Sequence, residues 1–243
     1  MHPLDNVIWN ALTTRQSHFA ETSGSARKFQ PEVTLLSGFE TPDDDGYTSL
    51  AGLAADGGTL AIFLDTPYEN RPGWEWIAGA PLLQMVFQNG AATSTAANGD
   101  IVELGLRDSP EMIELTSLTK PGPFGPRTHE LGTYLGVRVE GRLAAMAGER
   151  LKVPGYTEVS AVCTHPDFLG RGYAGTLMRE IMRGISNRGE TPFLHVREDN
   201  TRAIELYQRL GFRIRKAGHF AVLRRVQSES VTGVRQGTHT ETS

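Results

Sequence analysis

Two stretches of this chain hold the residues best able to do chemistry. The first, from Val162 to Ala174, reads VCTHPDFLGRGYA. A β-branched run, Glu158 to Thr164, stops before Pro166. A glycine-rich turn follows at Gly170-Arg171-Gly172-Tyr173-Ala174, and a helical pattern starts at once. A strand running into such a turn presents the free N–H groups of a helix's first turn, together with the positive end of its dipole, to an anion such as a phosphate. Glycines let the backbone close on the ligand without a Cβ in the way. The second stretch, Asn200 to Phe212 (NTRAIELYQRLGF), follows about one strand–helix unit later. It offers Asn200 at a helix start and the phenol of Tyr207, a group able to donate a proton or to pack as a core aromatic. Cys163 reads as a small buried filler rather than a nucleophile, since no base adjoins it in sequence.

The elements that must position these groups follow from periodicity and punctuation. The spacing predicts a helix over residues 4–20, a short strand at Val33 to Leu36, a helix after Pro42-Asp43-Asp44-Asp45-Gly46, and strands at Thr59 to Leu64 and Leu83 to Phe87. Residues 91–100, small and polar, read as a linker. Beyond it come a strand at Ile101 to Leu106, a helix opened by Asp108-Ser109-Pro110, and a hairpin turning at Glu140-Gly141. The strand from Glu158, a helix from Tyr173 to Asn187, the strand Phe193 to Arg197, and a helix from Thr201 to Leu210 follow. A strand pair, Phe212 to Lys216 and Phe220 to Val226, completes the pattern. Residues 1–97 are expected to form an N-terminal α/β subdomain and 98–226 the main domain. Residues 227–243 are expected to be a disordered tail.

Composition narrows the function class. The chain has 243 residues, 39% hydrophobic and 21% charged, with a formal net charge of −4, which is no footprint of a general nucleic-acid binder. One cysteine rules out an intrachain disulfide and a zinc site built from thiolates. No basic leader followed by an apolar run and no membrane-length apolar run is visible, so a cytoplasmic setting is expected, without a membrane or nucleic-acid partner.

The Gly170–Ala174 turn, the later residues Asn200, Ala203, Leu206-Tyr207 and Gly211-Phe212, and the order of strands together resemble the GCN5-related N-acetyltransferases (GNAT). The run from Pro121 to Phe212 looks most like their glycine N-acyltransferase-like branch. The resemblance covers about half of the chain. It implies an α/β fold with a mixed, mostly antiparallel sheet and splayed central strands in the C-terminal half. The N-terminal half, which lacks the turn, is expected to be a degenerate copy of that fold or an unrelated cap.

The resemblance also implies roles. Backbone amides from Leu169 through Gly170, Arg171, Gly172 and Tyr173 to Ala174 would hold the coenzyme A pyrophosphate, with the Arg171 charge beside it. Val162, Cys163 and Thr164 would pair through their backbone with the pantetheine arm, and Asn200 would add a hydrogen bond. Tyr207 would protonate the departing thiolate. Glu158 would be the general base, since it lies fourteen positions before Gly172, the offset at which histone-acetyltransferase members place a catalytic Glu. His129 and Glu130 are rivals for that role, on a loop of the kind that often contacts substrate, and His195 reads as a packed strand histidine. Leu169 departs from the family, which usually has Arg or Gln there, so the cradle must rely on backbone. The implied activity is acyl transfer from acetyl-CoA, or another acyl-CoA, to a small-molecule amine or amino acid, with no metal, by a monomer or homodimer. A non-catalytic acyl-CoA sensor or interaction module is the rival reading, because fold does not fix function.

Overall fold

The computed structural model describes residues 2–88 and 100–226. The expected linker apart from Asp100, the expected boundary after residue 97, and the expected tail lie outside the described residues.

The N-terminal elements are α1 (Val7–Thr13), β1 (Ala20–Ser23), β2 (Ala26–Phe29), β3 (Ser37–Phe39), α2 (Asp44–Ala51), β4 (Thr59–Leu64) and β5 (Trp74–Phe87). The helix expected over 4–20 stops at Thr13. Thr13 and Thr14 turn their hydroxyls back to the Trp9 and Asn10 carbonyls, which competes with continuing the helix, and Ser17–Phe19 form a separate 3-10 turn. The strand expected at 33–36 lies at β3 instead, and Leu36 makes only a single bridge to Ala61. Asp43 caps α2 as its carboxylate accepts from the Gly46 amide at 2.8 Å.

The C-terminal elements are β6 (Asp100–Leu104), α3 (Ser109–Thr119), β7 (Tyr134–Val139), β8 (Arg142–Val153), β9 (Tyr156–Thr164), α4 (Tyr173–Asn187), β10 (Thr191–Arg197), α5 (Thr201–Arg209) and β11 (Phe212–Arg225). The β7–β8 hairpin turns at Glu140 and Gly141, both at positive φ (50° and 81°), as a two-residue turn between twisted strands requires. The pair of strands expected after Phe212 is one 14-residue strand, because β5 pairs with it from Phe212 to Arg225 and β4 with its second half, His219 to Arg224. The irregularity is absorbed as register shifts, one of them between Ile214 and Lys216.

One eight-stranded sheet runs in the order β4-β11-β5-β10-β9-β8-β7-β6, and a smaller antiparallel sheet is β1-β2-β3. Every pair in the large sheet is antiparallel except β9–β10, so it is mixed and mostly antiparallel. Residues 2–88 do not close a second copy of this sheet. Instead β5 lies between β10 and β11, and β4 forms the edge beyond β11. Leu83 and Met85 of β5 join the same core as β10, α4 and α5.

Helix α4 buries Tyr173, Leu177, Met178, Ile181, Met182 and Ile185, the stripe of an amphipathic helix lying on a sheet. It packs on one side with α5, while α1 and α3 contribute to separate core clusters. The N-terminal segment is tied to the sheet by polar contacts as well. The Gln16 amide donates to the Arg150 carbonyl at 2.8 Å and accepts from the Lys152 amide at 3.0 Å, where the β8–β9 register slips.

Candidate active site

Strands β9 and β10 pair only where Thr191–Phe193 meet Tyr156–Glu158. Beyond those three positions they diverge, which leaves a notch in the middle of the sheet. A local distortion of β9 accompanies it. Gly148 pairs with Ser160 but Met146 pairs with Cys163, so β9 carries one extra residue there, and Ala161 has a positive φ of 54°. Such a bulge re-aims backbone groups and bends the strand. For a non-glycine residue that conformation is strained, and it is held by pairing on both sides.

A cleft of about 490 Å³ opens at this notch. Val162, Cys163 and Thr164 line it from β9, and Asn200 and Tyr207 from α5, so the structure brings these sequence-predicted residues together. The Asn200 side chain also caps α5, accepting from the Ala203 amide at 3.2 Å. Tyr207 is almost fully buried, and burial, with Cys163 beside it, pushes its phenol up to about 12. It therefore stays un-ionised at neutral pH and acts as a hydrogen-bond donor. Burial likewise raises the Cys163 thiol to about 11, against hydrogen bonds from Thr119 and the Met146 backbone, which fits a filler and not a thiolate nucleophile.

The glycine turn lies just past β9. A short 3-10 turn, Pro166–Phe168, leads into it. Gly170 and Gly172 have φ of 79° and 80°, and Gly172 is the N-cap of α4. Leu169 is 51% exposed, so no core contact fixes its side chain. Among the described residues, the amides of Gly170 to Ala174 donate no backbone hydrogen bond, and the space beside both glycines is open. The Arg171 guanidinium stands over the Phe168 ring at 5.2 Å, and Arg142 over the same ring at 5.5 Å. The turn thus combines free N–H groups with two cations, the donor set that suits a diphosphate.

Glu158 is not a general base. It is 0% exposed and does not line the cleft. Its carboxylate accepts from Arg150 Nε and Nη2, both at 2.8 Å, and from the Leu151 amide at 3.3 Å. Its Oε1 lies 2.7 Å from His195 Nδ1. Burial pushes the carboxyl up, but the Arg150 charge and the hydrogen bonds from Arg150 and His195 outweigh it and hold the group at about 2. An anion that stable takes no proton from an ammonium.

His129 and Glu130 are likewise outside the cleft. His129 Nδ1 contacts the Pro126 carbonyl at 3.1 Å, and Glu130 is bound to Arg127 at 2.7 and 2.8 Å on the surface.

Sequence reasoning underrated His195 and missed Arg150 and the N-terminal half. His195 is at the cleft wall, with Phe63 beside it at 4.6 Å between ring centroids. Gln84 fixes its tautomer. The Gln84 Oε1 accepts from Arg215 Nη1 at 2.8 Å, and its Nε2 donates to the Leu4 carbonyl at 2.9 Å. Nε2 therefore also donates to His195 Nε2 at 3.1 Å, and His195 Nδ1–H donates to Glu158. Simple pairing across the turn Pro154-Gly155 sets Leu151 opposite Glu158, and an extra residue in β8 brings Arg150 to it, which local spacing does not signal. Phe63, Ala78, Ala80 and Leu82, from β4 and β5, and Phe220 from β11 complete the wall, a contribution no local motif announces.

Known proteins resemble this chain in sequence and fold. The model of the FR47-like protein family matches residues 134–221. A solved structure from Novosphingobium aromaticivorans, assigned to the GNAT family of acetyltransferases, is 40% identical, covers 93% of this chain and 100% of its own, and superposes with a TM-score of 0.85. A GCN5-related N-acetyltransferase from Kribbella flavida, at 15% identity and a TM-score of 0.58 over 91% of this chain and 96% of its own, shares the fold. Over 82 residues, 32% of this chain, the sequence is 38% identical to the N-alpha-acetyltransferase RimI of Mycobacterium tuberculosis; the chain spans about half (51%) of that relative's length.

Proposed function

From the premise that this chain belongs to the GNAT family of acetyltransferases, we propose that it moves an acyl group from acetyl-CoA, or another acyl-CoA, onto a primary amine by direct attack while both are bound. The observation that supports this most is the notch where β9 leaves β10 after Phe193, with Asn200 and Tyr207 facing it. Unpaired backbone of Val162 to Thr164 offers an extended pantetheine arm a strand-like partner. The amides of Gly170 to Ala174, with Arg171 and Arg142, hold the diphosphate. Backbone N–H groups at the Ala161 bulge polarise the thioester carbonyl. The finer placement in the glycine N-acyltransferase-like branch rests on the run from Pro121 to Phe212 alone.

In this reading the amine nitrogen bonds to the carbonyl carbon, the C–S bond breaks, and sulfur takes the electron pair. The Tyr207 hydroxyl donates to that sulfur. The proton that leaves the nitrogen passes to solvent in the open cleft, because the His195 Nε2 lone pair already accepts from Gln84 while Glu158 holds Nδ1–H. Glu158 is a positioning residue. Holding both reactants in one cleft supplies much of the rate.

The experiment is a thiol-release assay with acetyl-CoA across a panel of amines, with mass spectrometry of the products. N-acylated product formed in step with free coenzyme A supports the reading. Tight acetyl-CoA binding without transfer to any amine supports the sensor instead.

A further inference from the structure

Resting on the acyl-transfer reading, we propose that the acceptor is a monoamine on an apolar body, selected by a bare apolar wall of the cleft. Strands β4, β11 and β5 build this wall. Phe220 of β11 stands opposite Phe63 of β4 on one side and opposite Ala80 of β5 on the other. Residues directly opposite in antiparallel strands share a sheet face, and so do residues two apart along one strand. Phe63, Phe220, Ala78, Ala80 and Leu82 therefore share one face, and all of them line the cleft.

The packing leaves room over this face. The Phe63 and Phe220 rings meet edge-on with centroids 6.0 Å apart, and both are only half-buried. On the β5 side the row ends in the methyl group of Ala80, with Ala78 exposed beside it. Gly218, opposite Leu82, adds no side chain. Large rings flanked by small residues form a step that the hydrocarbon part of a ligand covers, removing apolar surface from water. His195, packed on Phe63, joins the wall to the notch. The pantetheine arm is assigned to β9, and β10 separates β9 from these strands, so the wall serves the other substrate.

Charge narrows the class further. No Asp or Glu is among the described residues that line the cleft, whereas Lys120, Arg150 and Arg197 line it. Glu158 and Asp199, the carboxylates nearest to it, are bound to Arg150 and Arg197 by paired hydrogen bonds. A second ammonium on the acceptor would lose its hydration here and meet cations in place of a counter-charge. An amine on an uncharged hydrocarbon body meets neither cost.

The test measures kcat/KM with acetyl-CoA for n-hexylamine, ethylamine and 1,6-diaminohexane. They present the same primary amine on a long apolar body, on a short one, and on a long one with a second cation. Each is run on the wild type and on Ala80→Glu, which sets a carboxylate in the wall. In the wild type hexylamine is expected to exceed both others by about tenfold or more, as burial of its additional methylenes requires. Ala80→Glu is expected to reverse the order of hexylamine and diaminohexane through KM for the amine, with KM for acetyl-CoA unchanged. Ala78→Glu, at an exposed position on the same face, is the second variant and is expected to shift the order the same way should Ala80→Glu fail to fold. Equal use of the amines, or an order untouched by the folded variant, overturns the proposal. So does a preference for hexanoyl-CoA over acetyl-CoA that the variant abolishes while the amine order stays, since the wall then holds the acyl chain. If no amine is acylated, the transfer reading fails and the wall is judged by calorimetry in the presence of coenzyme A. Hexylamine binding more tightly than the other amines, and losing that advantage in the variant, supports it, and no such difference overturns it.

Discussion

Glu158 is the residue around which this site is arranged, though not in the role its spacing suggested. Its carboxylate joins Arg150 to His195 in a buried network that Gln84 extends to Arg215 and, through Arg215, to Asp5. The pair has a stability consequence with a definite sign. The folded carboxyl titrates below its ordinary 4.5, so its contribution is fully present above about pH 4.5 and is lost as pH falls toward 2. Denaturation midpoints measured down that range should fall in the wild type, and Glu158→Gln should be flatter there. At neutral pH Glu158→Gln should cost about 3–5 kcal/mol, because it leaves Arg150 buried without its counter-charge. Spacing from the glycine turn could place Glu158 on the right strand. It could not show the register slip or the arginine behind it, since both depend on β8.

At the scale of elements, the glycine turn and the two strands before and after α4 were the legible part. Their signals are local: two glycines that allow φ near 80°, a β-branched strand, and a helix stripe of Leu177, Met178, Ile181 and Ile185. The turn's conformation makes Gly172→Ala informative. An alanine at φ 80° is expected to cost about 1–2 kcal/mol, and the reshaped amide cradle should raise KM for acetyl-CoA while leaving kcat nearly as it was. Calorimetric affinity for coenzyme A and steady-state kinetics check it together, and an unaltered KM would detach the turn from donor binding. The loop holding His129 and Glu130 was misjudged for a related reason. Their partners, Pro126 and Arg127, come from the loop itself and turn both side chains outward.

For the whole molecule, the N-terminal half is a structural part of the sheet and of the cleft. β5 fills the position between β10 and β11, and Phe63 and Leu82 form cleft wall. Long-range pairing of this kind leaves no mark in a local window, so the 14-residue partners β5 and β11 read as shorter pieces. A fragment beginning at residue 100 would leave both β10 and β11 with an open edge and is expected not to fold cooperatively; a sharp thermal transition in that fragment would contradict this. The central claim is acyl transfer at the notch between β9 and β10, with Tyr207 at the departing sulfur. It is tested most directly by following N-acylated product and free coenzyme A together for the wild type and Tyr207→Phe at saturating acetyl-CoA. The account predicts equal yields of the two products and a kcat about 10²-fold lower in the variant. Bound acetyl-CoA with no acylated amine, or a variant as fast as the wild type, would contradict it.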